Sequence, residues 1–77
     1  MDKSTVAVNI AGVDLVLISE NSEQYVQKLA DELTSRINKI KFSTPVGITS
    51  VQASMVCALD LLDENYRLKV MIEELKK

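Results

Sequence analysis

The sequence has no histidine, no tryptophan and one cysteine, Cys57, in 77 residues. Without histidine or paired cysteines the common zinc sites cannot be assembled, and no internal disulfide can form. Two glycines, Gly12 and Gly47, stand apart and match no nucleotide-binding fingerprint. Hydroxyls and carboxylates remain, but with no histidine base, metal cluster or phosphate-cradling loop they form no catalytic constellation. Asp60, Asp63 and Glu64 lie close together, and a charged helix face accounts for them. The expectation is a non-enzyme with no catalytic residues, no cofactor, no metal and no small-molecule substrate. Clustered cations are scarce too: the net charge is −2, which does not suit a phosphate backbone, so no nucleic-acid partner is expected. Apolar runs fall far short of the roughly 20 residues that cross a bilayer. No apolar stretch follows Met1–Ser4 as in a signal peptide. These absences, with an unpaired cysteine, fit a cytoplasmic protein without membrane contact.

Apolar residues nevertheless make up 47% of the chain, so it is no disordered tail. Only Tyr25, Phe42 and Tyr66 are aromatic, which leaves aliphatic side chains and methionine to build a core. One small domain is all that this length allows. Chains this short need disulfides, metals or partners for stability; with the first two excluded, oligomerisation is the staple left. There is no internal repeat and no low-complexity segment.

Val6, Val8 and Ile10 alternate with Thr5, Ala7 and Asn9, the period of a strand with one buried face. Ala11–Val13 is short enough for a hairpin turn in which Gly12 supplies a positive φ. Asp14 to Ser19 then reads as a second strand, apolar on both faces through Leu15-Val16-Leu17-Ile18. Something other than water must cover its outer side. Asn21 with Gln24, or Ser22, opens a helix. Its apolar stripe is Val26, Leu29, Ala30, Leu33, Ile37 and Ile40. Phe42 to Ile48, with Pro45 and Gly47, reads as the connecting loop. Thr49 and Gln52 form a second capping box, and the helix they open can run from Ser50 to the end, roughly 40 Å.

That last helix carries two apolar stripes. One holds Val51, Met55, Ala58, Leu59, Leu62 and Tyr66, and the subunit's own hairpin and first helix are expected to bury it. The other holds Cys57, Leu61, Leu68, Met71, Ile72 and Leu75. Leu61, Leu68 and Leu75 recur every seven residues, with Cys57, Glu64 and Met71 between them in a four-three rhythm. This is a short coiled-coil heptad with one charged defect, Glu64. Burying a Leu, Ile or Met side chain contributes roughly 1.5–3 kcal/mol, so leaving the second stripe bare forgoes much of a small domain's stability. Cys57, Leu61, Leu68, Met71, Ile72 and Leu75 are therefore the expected oligomer interface of a homodimer or homotetramer.

Three further features have a plain and a functional reading. Cys57, in Ser54-Met-Val-Cys-Ala-Leu59, is a small hydrophobe of a packed seam, with no neighbouring cation to make it reactive. Arg36, Lys39 and Lys41, with Lys28 on the same flank, suit the negative end of a helix dipole and i,i+4 pairing with Glu32. The same four residues could dock on an acidic protein, and they are the candidate partner-binding set. The loop is a connector first and a contact surface second.

The order strand–turn–strand–helix–loop–long helix resembles the ZapA cell-division family. Val6-Ala-Val-Asn-Ile-Ala-Gly12 looks like its opening strand and glycine turn. Tyr25 with Leu29-Ala-Asp-Glu-Leu33 is similar to its first helix, and Ala58-Leu-Asp-Leu-Leu-Asp-Glu64 resembles the opening of its long helix. The resemblance implies an α+β fold: a ββαα head over residues 1–62 and a coiled-coil helix starting over 63–77. It also implies dimers pairing into tetramers and a bacterial cytoplasmic role cross-linking protofilaments of the tubulin homologue FtsZ at the division site. Arg36 and Lys41 match basic positions of the family's first helix. Two other readings stand beside it: an oligomerisation module of this fold with a different partner, and a ribbon–helix–helix-like DNA-binding dimer. Against the latter, Thr5, Ala7 and Asn9 offer the phosphates no cation.

Overall fold

The structure, a computed structural model, describes residues 3–76. Two antiparallel strands, β1 (Ser4–Ile10) and β2 (Val13–Ser19), are followed by α1 (Glu23–Ser43) and α2 (Ser50–Leu75). The α+β hairpin-and-two-helix order is the expected one. Ile10 pairs with Val13, so the turn is two residues long. Ala11 and Gly12 both have positive φ, 52° and 87°, as in the primed turns whose twist matches a hairpin. Asn9 braces this turn: its Oδ1 accepts from the Gly12 N–H and its Nδ2 donates to Asp14 Oδ1. Thr34 on α1 holds it from below by accepting the Ala11 N–H through Oγ1 at 3.0 Å.

The register puts Val6, Val8 and Ile10 opposite Leu17, Leu15 and Val13 on one face. The helices cover only part of that face. Val6 and Val8 form a buried cluster with Val26 and Ala30 of α1, joined by Ile10 and Leu17. Gln27 ties α1 to β1 by donating from Nε2 to the Ala7 carbonyl at 2.8 Å. On β2, Val13 and Leu15 overhang and stay exposed. The outer face of β2 is barer still, with Val16 and Ile18 at 71% and 70% exposure. Nothing in the described residues provides the cover that its two-sided pattern requires.

Both helix starts are set by side chains. Ser22, not Asn21, caps α1, accepting the Tyr25 N–H on Oγ. Thr49 and Gln52 form the reciprocal box on α2, at 3.1 and 3.0 Å. α1 runs one residue beyond Phe42 before Thr44 ends it, its Oγ1 donating to the Ile40 carbonyl. Of the expected α1 stripe, Val26, Ala30 and Ile37 are buried, Leu33 and Ile40 half-buried, and Leu29 exposed.

The inward face of α2 differs from the sequence expectation. Ala53 and Cys57 are buried, at 0% and 1% exposure. They pack with Ile37 in a second cluster flanked by Ile10, Ala11, Leu33, Ile40 and Ile48. The stripe expected to be buried, Val51, Met55, Ala58, Leu59, Leu62 and Tyr66, is exposed, all but Ala58 on the far side. The reason is size. Small side chains let two helix backbones approach, and Ala53 and Cys57 are the small residues that recur on one face of α2, whereas Met55, Leu59 and Leu62 would hold α1 away. Cys57, expected between subunits, thus belongs to the chain's own core.

Candidate protein-interaction site

From Ala58 onward every described residue of α2 is exposed. Its inward face continues past Cys57 through Leu61, Leu68, Met71 and Leu75, with Ile72 at the flank. Leu68, Met71 and Ile72 are each more than half exposed, and Leu75 reaches 84%. The heptad residues therefore lie in one row, but own-chain packing claims the row only as far as Cys57. Leu61 sits at the transition and lines an apolar groove with Val13 and Leu15 of β2, Leu33 and Ile37 of α1, and Ala58. The helix thus carries apolar residues on opposite sides, and among the described residues only one side is covered, and that over its first half alone.

The amount of bare surface can be scaled. A compact monomer of 8.6 kDa exposes about 4700 Å², whereas this chain exposes 6393 Å². The excess over the whole chain, roughly 1700 Å², is of the size that one partner contributes to an extensive, obligate interface. The radius of gyration is 15.3 Å, against about 11.5 Å for a globular chain of this length.

The basic edge divides into engaged and free cations. Arg36 Nη1 donates to Glu64 Oε2 at 2.6 Å, joining α1 to α2. The Glu64 carboxylate, by that bond and its charge, pushes the Arg36 guanidinium further up. Lys41 is half-buried, and its Nζ donates to Ser50 Oγ at 3.1 Å. Lys28 and Lys39 are both exposed; Lys28 stands beside Glu23 and Asp31 of α1, whereas Lys39 lines the same α1–α2 cleft as Arg36, facing Asp60, Asp63 and Glu64. Of the four residues named from sequence, Arg36 and Lys41 reach across to α2, Arg36 and Lys39 share one cleft, and Lys28 lies apart.

Apolar surface is also bare at the end of α1 and in the loop that the sequence offered as a secondary contact surface. Phe42 is 83% exposed at the end of α1, and Val46 of the following loop is nearly as bare. For Phe42 the signal in the sequence was a lone phenylalanine directly after Lys41. No group of three or more Cys, Asp or Glu among the described residues is placed to hold a metal ion. No helix among them is long and apolar enough to cross a membrane.

A small ββαα head with a projecting helix, apolar on surfaces its own chain leaves open, is a class of protein whose notable features are surfaces rather than a reaction site. The chain belongs to the ZapA family: the family model for the cell division protein ZapA matches residues 6–77, nearly the whole chain. Members are FtsZ-associated, non-enzymatic division proteins. Neither the curated proteins nor the solved structures contain a significant match.

Proposed function

We propose that this chain is a self-assembling division protein that binds FtsZ and cross-links its protofilaments at the bacterial division site, in the cytoplasm. Residues 1–62 act as the FtsZ-facing head, and 63–77 begin the arm that joins copies. The observation that carries the reading is the uncovered row Leu61, Leu68, Met71, Ile72 and Leu75, together with the excess of bare surface. Family membership supplies the partner. Self-assembly would supply the cross-link: joined copies would present more than one head, and two heads can hold two filaments. Lys28 and Lys39 are the cations free to meet an acidic partner, while Arg36 and Lys41 hold the helices in place.

The outward face of the hairpin supports a protein partner over DNA. It carries Thr5, Ala7, Asn9, Asp14, Val16 and Ile18, without a cation to set against phosphate. The test is co-sedimentation with FtsZ polymerised in GTP, with bundles followed by light scattering. Pelleting with bundling is expected. An oligomer that neither pellets nor bundles would assign the fold to another partner.

A further inference from the structure

The inward face of α2 changes its packing partner at one charged residue. Ala53, Cys57, Glu64, Leu68, Met71 and Leu75 fall within about 60° of arc on the helix. Ala53 and Cys57 are covered by α1, and the residues after Glu64 are covered by nothing among the described residues. Glu64 occupies the place in the four-three rhythm where a coiled coil takes an apolar side chain. Arg36 reaches it from α1, and the two side chains are 38% and 50% exposed. Arg36 is held there by its neighbour Ile37, buried against Ala53 and Cys57. The cation is therefore fixed relative to the seam rather than carried on a free surface arm.

We propose that the Arg36–Glu64 pair sets the register and copy number in which the exposed seam of α2 pairs with a second copy of this chain. The proposal rests on the self-assembly reading. Its occupant is a second copy because the chain's whole excess of surface, of which the seam is a part, is of the size that an obligate self-interface removes from one partner. A seam of only Leu68, Met71 and Leu75 specifies its alignment weakly, since a slip of one heptad exchanges one leucine contact for another. The ion pair makes the slip costly. Shifting toward the head lays a partner's apolar side chain over Glu64 and Arg36 and strips their water. Shifting the other way leaves Leu68 bare. A polar group in a seam fixes register and oligomer number at some cost in stability, the best-attested role of such pairs.

The test is sedimentation velocity of the full chain and three variants over a dilution series, with circular dichroism as the folding control. The wild type is expected to run as a single assembled mass. Glu64→Leu completes the apolar seam, so it should resist dilution at least as well, yet distribute over more than one mass. Arg36→Glu places like charges together and should weaken assembly about tenfold or more while the helix signal is kept. Arg36→Glu with Glu64→Arg should restore the single mass. A single, unchanged mass for Glu64→Leu overturns the register role while self-assembly stands, even if Arg36→Glu fails to fold. A monomeric wild type overturns self-assembly and the register role with it.

Discussion

Gly12 and Cys57 show how much one side chain decides in a chain this small. Gly12 sits at a φ of 87° with open space where a Cβ would go, so substitution there meets no neighbour and tests backbone strain alone. Gly12→Ala should cost about 1–2 kcal/mol, read as a lower urea midpoint. Gly47→Ala, also in open space but without positive φ, should be neutral or stabilise by about 0.5 kcal/mol; equal losses at both would contradict the turn assignment. At Cys57, burial pushes the thiol up, Arg36 opposes this, and Asp60 and Glu64 add to it. As pH rises past the ordinary thiol range, about 8.5, the unfolded chain loses its proton first. The folded state then binds more protons, and stability falls with increasing pH. At fixed protein concentration the wild-type urea midpoint should fall more steeply between about pH 8 and 10 than that of Cys57→Ala. Parallel slopes would place the titration elsewhere.

The elements differ in how far their sequences declare them. The capping box of α2 was legible because Thr49 and Gln52 meet through three residues of local chain, whatever the rest of the fold does. The hairpin was legible from alternation and Gly12. Asn21 and Ser22 competed for the α1 cap, and spacing alone could not choose between neighbours that both carry an acceptor. The orientation of α2 was not legible. Hydrophobic periodicity weights bulk, so Met55, Leu59 and Leu62 outweighed Ala53 and Cys57, although small residues are what let α1 approach. The tail of the same helix reads more simply, because no second element competes for its apolar row. Leu68→Lys with Leu75→Lys puts charge on two of that row's most regular positions. Each removes burial of roughly 1.5–3 kcal/mol per copy. Light scattering should report a lower mass, while far-UV circular dichroism keeps the signal of α1 and the first half of α2. Unchanged mass would move the interface to another face of the chain.

At the scale of the molecule, the chain is a flat body, with Cα extents of 45 × 35 × 14 Å. Its two small core clusters meet at Ile10, and apolar surface remains on β2 and on both sides of α2. The proposed self-assembly would cover that surface, and it leaves the outer side of α1 as a charged surface. Lys28 stands there and Lys39 is exposed at the rim of the α1–α2 cleft, so reversing them tests partner docking while leaving the Arg36–Glu64 pair in place. Arg36→Glu cannot serve this purpose, because it would set two carboxylates at the α1–α2 boundary where a 2.6 Å ion pair now stands. Lys28→Glu with Lys39→Glu should leave the assembled mass and the urea midpoint near wild type, since exposed charges contribute little to stability. Co-sedimentation with FtsZ polymers should weaken by about tenfold, and the wild-type interaction should lose strength with added salt, as steering between opposite charges does. Equal pelleting by the variant would mean that these lysines only solvate the exposed surface of α1. The FtsZ contact would then be sought at the exposed Phe42 and Val46 beside the same helix end, where binding would be apolar and largely insensitive to salt.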